Sequence, residues 1–335
     1  MNRVGVLGLG QIGGSIGKNL VRGGLAVAGY DPDPGTRAMA ADAGIAVHSS
    51  VGDWLGAQDL VVVAAPIDQL AASFAEVRAW SVPGQTVIDV ASVKGEVHEI
   101  ARSAGLGGSF VGCHPMAGKA EVGFEVSDAD LLSGISWAVT ADDTTPAPAT
   151  RAMIRFLMRH FSARISVLDP VTHDQAVATI SHTPHVLASA LLASLGSVDS
   201  PRAAAVLAAG SFRDGTRVAG TGTHRTANMV VHNAASVAGD LDALIKSLAE
   251  LRGYLGGVDQ GADPVAIEQW FDASREVRET YLGSGLEAVR LPLDCDVASL
   301  VGHGKAGWLV VAVDGEELVL ERGGANRAFA APVSG

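Results

Sequence analysis

Three groups of residues in this 335-residue chain have types and spacings suited to chemistry. The first is Gly8-Leu9-Gly10-Gln11-Ile12-Gly13, a GxGxxG pattern placed directly after the apolar run Val4–Leu7. Between a strand and a helix, its first glycine permits a tight turn and its second lets the backbone approach a pyrophosphate. The third lets helix and strand pack closely. The helix N-terminus then offers N–H groups and the positive end of its dipole to the phosphates. In a chain with 41 glycines, this pattern takes its weight from that context. Asp31 closes the next apolar run, Leu25–Tyr30. An acid there accepts hydrogen bonds from ribose hydroxyls and repels a 2′-phosphate, which favours NAD. Arg37, six residues further on, keeps NADP open as the lesser expectation.

The second group lies just past later apolar runs, because ligands of such sheets sit at the carboxyl ends of the strands. Val63-Ala64-Ala65 leads into Pro66, so Ala65 and Pro66 are expected beside the cofactor. Val87–Val90 leads into Ala91-Ser92-Val93-Lys94-Gly95, and Phe110–Cys113 leads into His114-Pro115-Met116-Ala117-Gly118-Lys119. Pro115 keeps His114 extended, so it stands at a strand end. A neutral imidazole there can take a carbinol proton as hydride leaves. Ser92 can orient that imidazole or the substrate hydroxyl. Cys113 should face the opposite side of the strand, which argues against a Cys–His nucleophilic pair.

The third group lies further along. His173, His182 and His185 are clustered, the last two flanking Pro184. They lack HExxH spacing and a completing carboxylate, so no metal is expected; one of them is expected to line a polar cavity. Arg213 and Arg217 stand four apart, on one face of a helix, with Asp214 available to orient one of them. Two guanidinium groups can hold a carboxylate bidentately.

The elements that must position these residues follow from patterning. Arg3–Leu9, Leu25–Tyr30, Asp59–Ala65 and Gln85–Val90 read as strands, with shorter candidates at Phe110–Cys113, Trp137–Thr140 and Ile165–Leu168. Ile12–Arg22 reads as a helix. Alternation of strands and helices predicts a parallel sheet covered on both faces. After Asp169-Pro170 the pattern is helical: Thr172–Leu195, Arg202–Ala209, Thr226–Arg252 and Pro264–Tyr281. Gly307–Val313 and Glu317–Glu321 then flank the hairpin turn Asp314-Gly315. Residues 1–169, 170–283 and 284–335 are therefore expected to form a dinucleotide-binding domain, a helical domain and a small β appendage.

Composition narrows the function. The formal net charge of −12 argues against nucleic acid. An anionic substrate would need a few local cations, and the two arginines supply them. Two cysteines, Cys113 and Cys295, make no disulfide framework, and the first strand begins without a signal sequence; a cytoplasmic protein is expected. The longest apolar run, Leu60–Ile67, is too short to span a bilayer, so no membrane is expected.

Taken together, GLGQIGGSIG from Gly8, ASVKG from Ala91, GCHPMAG from Gly112, HDQAVATISHTPH from His173 and GSFRDGTRVAG from Gly210 resemble the prephenate/arogenate dehydrogenases of tyrosine biosynthesis. The resemblance covers about residues 3–250. It implies an α/β Rossmann-type N-terminal domain followed by an all-helical dimerisation domain, with the β-rich tail outside the match. It also implies a homodimer and an NAD-dependent oxidative decarboxylation of prephenate, or alternatively of arogenate. His114 matches the catalytic histidine, Ser92 the serine that bonds it, Arg217 the arginine on the side-chain carboxylate, and His185 a pocket histidine. Arg213 lies where relatives place a cation near the same pocket. Two departures stand out. Lys119-Ala120-Glu121 replaces a Thr-Glu-like pair, and Lys119 is expected to bring a further cation to the substrate. The Trp expected about nine residues after Arg217 is absent from Gly220–Thr226. A β-hydroxyacid-type dehydrogenase would typically place a catalytic lysine in the helical domain, where only Lys246 lies between Val171 and Arg252. A non-catalytic NAD-binding sensor is the remaining alternative.

Overall fold

The computed structural model describes residues 1–118, 121–258, 264–282 and 285–323. The first strands are β1 (Arg3–Leu7), β2 (Ala26–Tyr30), β3 (Ala46–Val47), β4 (Leu60–Val63), β5 (Thr86–Asp89), β6 (Phe110–Pro115), β7 (Ser136–Thr140) and β8 (Arg164–Leu168). Near the end of the chain come β9 (Leu286–Pro292), β10 (Trp308–Asp314) and β11 (Glu317–Gly323). Among the described residues they form one 11-stranded sheet in the order β3-β2-β1-β4-β5-β6-β7-β8-β10-β11-β9. The helices that cover it are α1 (Gln11–Arg22), α2 (Pro34–Asp42), α3 (Leu70–Trp80), α4 (Gly95–Ser103) and α5 (Ala147–Phe161).

Alternate residues of the central strands enter opposite cores. Val4, Val6, Val62, Ile88, Val111 and Cys113 pack on one face, and Leu7, Val61, Val63, Val87 and Phe110 on the other. Burial on both faces is why these strands read as unbroken apolar runs. The sheet is not wholly parallel, however: β7 runs antiparallel to β6, with His114 opposite Ala138. A parallel return needs a crossover, and the described residues between 116 and 135 contain no helix to provide one. That connection instead lies along α1. Gln11 Nε2 donates to the Glu121 carbonyl at 2.8 Å, Lys18 Nζ to Ser127 at 2.9 Å, and Asn19 Nδ2 to Ala129 at 2.9 Å.

The tail joins this sheet. β10 pairs antiparallel with β8, and Val310 lies opposite Ile165. Leu300, Val310, Leu318 and Leu320 share the core of Ile165 and Val167. The sequence shows the β10–β11 hairpin clearly, because Gly315 supplies a φ of 60° at the turn. The largely exposed edge strand β9 carries no comparable signal.

The second unit begins with α6 (Pro170–Val177) and α7 (Thr183–Ser194) and continues through α8 (Pro201–Val206) and α9 (Gly210–Thr216). It ends with α10 (Thr223–Val231), α11 (Ala234–Val258) and α12 (Val265–Leu282). A last helix, α13 (Val297–Lys305), packs on β8, where a Cβ on Gly304 would lie 1.8 Å from the Val167 carbonyl oxygen. Sequence patterning expects single helices over Thr172–Leu195 and Thr226–Arg252, and both are modified. A π turn over Ala178–His182 joins α6 to α7. Pro184 cannot donate to the carbonyl four residues back, and the wider turn absorbs that loss. The second run breaks at His232-Asn233. Pro170–Ser197 is long and apolar enough by composition to cross a membrane. Its His173 and His182 are nevertheless buried, and His173 contacts His114 of the N-terminal unit.

Candidate active site

The glycine turn has the shape its sequence calls for. Gly8 has φ of 87°, and a Cβ there would lie 2.7 Å from the Ala64 carbonyl oxygen. A Cβ on Gly13 would lie 1.9 Å from the Gly8 carbonyl oxygen, so α1 can sit on β1 only without a side chain at this position. Gly10 differs from both. Among the described residues a Cβ there would meet nothing within 4 Å, and no side chain caps α1 at this residue. The space beside the helix N-terminus is thus open, as a bound pyrophosphate requires. Leu9 N donates to Asp31 Oδ2 at 2.8 Å, which fixes the carboxylate at the end of β2 and ties it to the turn. Arg37 Nη1 donates to the carbonyls of Asp31 and Pro32 at 2.6 and 3.0 Å. Ala65 and Pro66 follow β4 beside Gly8, and Ile12 packs against the core.

The strand ends of β5 and β6 carry the second part. Asp89 closes β5 and is fully buried, as is Lys94, with which it forms an ion pair. Asp89 Oδ2 also accepts from Ala91 N at 2.9 Å, and its Oδ1 accepts from Cys113 N at 3.3 Å. The pair therefore clamps both ends of the loop that carries Ser92 and ties it to β6. A Cβ on Gly112 would run into Thr140 Oγ1 and His98 Nε2 and lie 3.2 Å from Lys94 Cδ, so glycine here lets all three side chains pack against β6. Cys113 points into the core as its alternation with His114 predicts, and burial pushes its thiol up, out of nucleophilic range.

His114 meets the helical unit directly. Its Nδ1 lies 3.0 Å from His173 Nε2, and His173 Nδ1 lies 2.8 Å from Asp174 Oδ1. Asp174 accepts two more bonds at the start of α4, from Lys94 N and Gly95 N, each at 2.7 Å. Burial would raise this carboxyl, but the bonds from His173, Gly95 and Lys94 outweigh it and hold it below its ordinary range. An ionised Asp174 can only accept, so His173 must donate from Nδ1 and accept at Nε2. His114 must then donate from Nδ1. Its Nε2 is left as an acceptor. Burial holds His114 well below the usual histidine range, reinforced by His173, Lys94 and Arg225. The arrangement is a neutral imidazole with a defined bare nitrogen, backed by an anion two bonds away.

The remaining histidines line the same region. His182 is buried, and burial lowers it to about 4. Asn233, at the break between α10 and α11, donates to the Asp174 carbonyl at 2.7 Å and lies 3.2 Å from His182 Nδ1. His185 on α7 is lowered by burial, and the cations acting on it are Arg225 and Arg217. Its Nδ1 is buried with no hydrogen-bond partner among the described residues. Arg217 opens a short 3₁₀ turn that packs on α7. Thr216 ends α9 with φ of −111° and ψ of −3°, still right-handed helical, so the chain runs from Arg213 on α9 directly into the turn at Arg217. Arg213 is exposed on α9. Lys119 lies outside the described residues. Among the described residues, no group of three or more His, Cys, Asp or Glu side chains can hold a metal.

Sequence reasoning singles out His114, Ser92, Arg217 and His185, but gives no role to the links through His173, Asp174, Lys94 and Asn233. The adjacent pair His173-Asp174 was the available signal: a histidine beside a carboxylate just after a helix start. What patterning does not supply is that α6 delivers this pair to the end of β6.

A dinucleotide turn, a base at a strand end and cations from a helical unit define a two-domain nicotinamide-type oxidoreductase. Comparisons with known proteins make that specific. Residues 16–167 match the family model described as prephenate dehydrogenase, nucleotide-binding domain, and residues 169–265 match its dimerization domain. The chain belongs to the prephenate dehydrogenase family. It is similar to a prephenate dehydrogenase of Lactococcus lactis subsp. cremoris, 26% identical over 83% of this chain and 77% of that protein. Its fold is similar to prephenate dehydrogenase from A. aeolicus in complex with hydroxyphenyl propionate and NAD+, with TM-score 0.73, 26% identity and coverage of 84% and 97%. Synechocystis arogenate dehydrogenase is similar as well, with TM-score 0.70, 26% identity and coverage of 83% and 97%.

Proposed function

We propose that this protein catalyses the oxidative decarboxylation of prephenate to 4-hydroxyphenylpyruvate with NAD, as a homodimer. The observation that carries the reading is the chain Asp174–His173–His114, which leaves His114 Nε2 as the acceptor for the substrate hydroxyl proton. NAD, when bound at Gly8–Gly13 and Asp31, supplies the hydride acceptor. As the ring carbinol loses its hydride, its proton passes to His114 Nε2. The imidazolium that forms is stabilised through His173 by Asp174. The ring carboxylate then leaves as CO2, its bonding electrons complete the aromatic ring, and the proton on His114 returns to the phenolate oxygen. Ser92, on the loop clamped by Asp89 and Lys94, stands where it can orient the hydroxyl. Arg217 holds the side-chain carboxylate, beside neutral His185. The carboxylate of Asp31 at the end of β2 supports NAD over NADP.

Dimerisation fits the matched dimerisation domain and the apolar side chains that the helical unit leaves uncovered in a single chain. Leu191 and Leu192 on α7 and Ile245 and Leu248 on α11 are among them. The direct test is NADH formation from prephenate and from arogenate. Turnover of prephenate, cut about 10²–10⁴-fold by His114→Asn with KM nearly unchanged, is the expected result. No NADH from either substrate at micromolar enzyme would reject the reading.

A further inference from the structure

The π turn over Ala178–His182 stands between two parts of the site. His173, which contacts His114, lies before it on α6, and His185 lies after it on α7. The 3₁₀ turn that carries Arg217 packs on α7 as well. A π turn holds about one residue more than an α turn, so each side chain after it is rotated by about 100° from its place in an unbroken helix. The turn thus sets which way α7 presents His185 and the Arg217 turn relative to His173. Pro184 disfavours the unbroken helix but does not choose what replaces it.

The grip on the turn comes from α11. Asp240 accepts from Thr179 Oγ1 through Oδ1 at 3.2 Å and from Thr183 Oγ1 through Oδ2 at 3.0 Å. Thr179 lies inside the π turn and Thr183 directly after it, so one carboxylate spans the wide turn. Thr183 is buried, where a hydroxyl without an acceptor is costly. Asn233, at the start of α11 and about two helical turns before Asp240, holds the near side through the Asp174 carbonyl and His182 Nδ1. Between these contacts a cavity of about 710 Å³ runs beside the small α11 residues Ala235, Ser236 and Gly239. Apolar packing is thin along it, and hydrogen bonds fix how α11 meets the turn.

We propose that Asp240 is a positioning residue for the substrate pocket. By holding the hydroxyls of Thr179 and Thr183 it fixes the π turn, and through it the placement of His185 and Arg217 at the side-chain end of the substrate. This rests on the reading of the site as a prephenate-type dehydrogenase. The effects of losing Asp240 should divide, because the chain Asp174–His173–His114 lies before the turn and is anchored separately at the start of α4. The experiment is steady-state kinetics across pH with NAD and whichever of prephenate and arogenate the wild type oxidises. The variants are Asp240→Ala, Thr183→Val and the two combined, each with its Tm. Asp240→Ala and Thr183→Val should each raise KM for that substrate about 10-fold. Wild-type kcat, KM for NAD and the position of the acidic limb should all be retained. The combined variant should match Asp240→Ala, because both changes act through one contact.

An unaltered substrate KM in folded Asp240→Ala would overturn the proposal even if Tm falls, since that marks a support of the fold and nothing more. So would a lower kcat with KM kept, an equal rise in KM for NAD, or additive losses in the combined variant. Thr183→Val carries the same test if Asp240→Ala does not fold. A wild type that oxidises neither substrate removes the underlying reading as well. An active wild type whose substrate KM ignores both changes removes only this one.

Discussion

His114 has the chemistry of a base because two other side chains decide its tautomer. Asp174 is an acceptor held by two N–H groups of α4, so the proton on His173 sits on the side facing Asp174. The next hydrogen bond then places the proton of His114 on Nδ1. A base must be neutral to act, and burial holds both histidines below the ordinary range near 6.5. The sign follows: kcat/KM should stay flat as pH falls from neutrality through 6.5, and drop only where His114 finally takes up a proton in the free enzyme. An acidic limb at or above the ordinary histidine value would contradict the assignment. His173→Gln removes the link to Asp174 without a large change in size. It should lower kcat by about 10–100-fold and leave KM near its original value. Loss of affinity with unchanged kcat would instead assign His173 to substrate binding.

The glycine turn makes a prediction at the level of the strand–turn–helix element. Gly10 and Gly13, the second and third glycines of the motif, differ in the space around them as they do in role. Gly13→Ala drives a methyl into the Gly8 carbonyl and should destabilise the domain by about 2–4 kcal/mol, read as a lower Tm without ligand. Gly10→Ala meets no atom of the described residues within 4 Å. Its Tm should stay the same while KM for NAD rises about 10-fold, since the methyl takes space intended for phosphate. Equal Tm losses in both variants, or a Gly10→Ala enzyme with unaltered KM for NAD, would show that the cofactor does not approach the turn there.

The whole molecule joins two units through polar contacts and leaves apolar surface on the helical one. Val206 and Leu207 are 84% and 81% exposed in a single chain, and Tyr281 is 75% exposed. Large uncovered side chains of this kind mark an interface. Light scattering on the eluted protein should give about twice 34.1 kDa at micromolar concentration. A monomeric mass would place these residues in solvent and remove the dimer from the proposal. The C-terminal strands belong to the N-terminal unit at this scale, because β10 continues the sheet from β8 and α13 packs beside it.

The sequence alone determined what depends on local rules. A GxGxxG turn between strand and helix, an acid at the end of β2, extended His114 before a proline and strands apolar on both faces are dictated by neighbours in the chain. Those neighbours were legible. Tertiary structure decided what depends on distance. β7 runs antiparallel because its connection lies along α1, and β9 and α13 were hidden because an exposed edge strand has little periodic signal. Lys94 is buried because Asp89 is there to pair with it, and His173-Asp174 becomes part of the site because α6 begins where β8 ends.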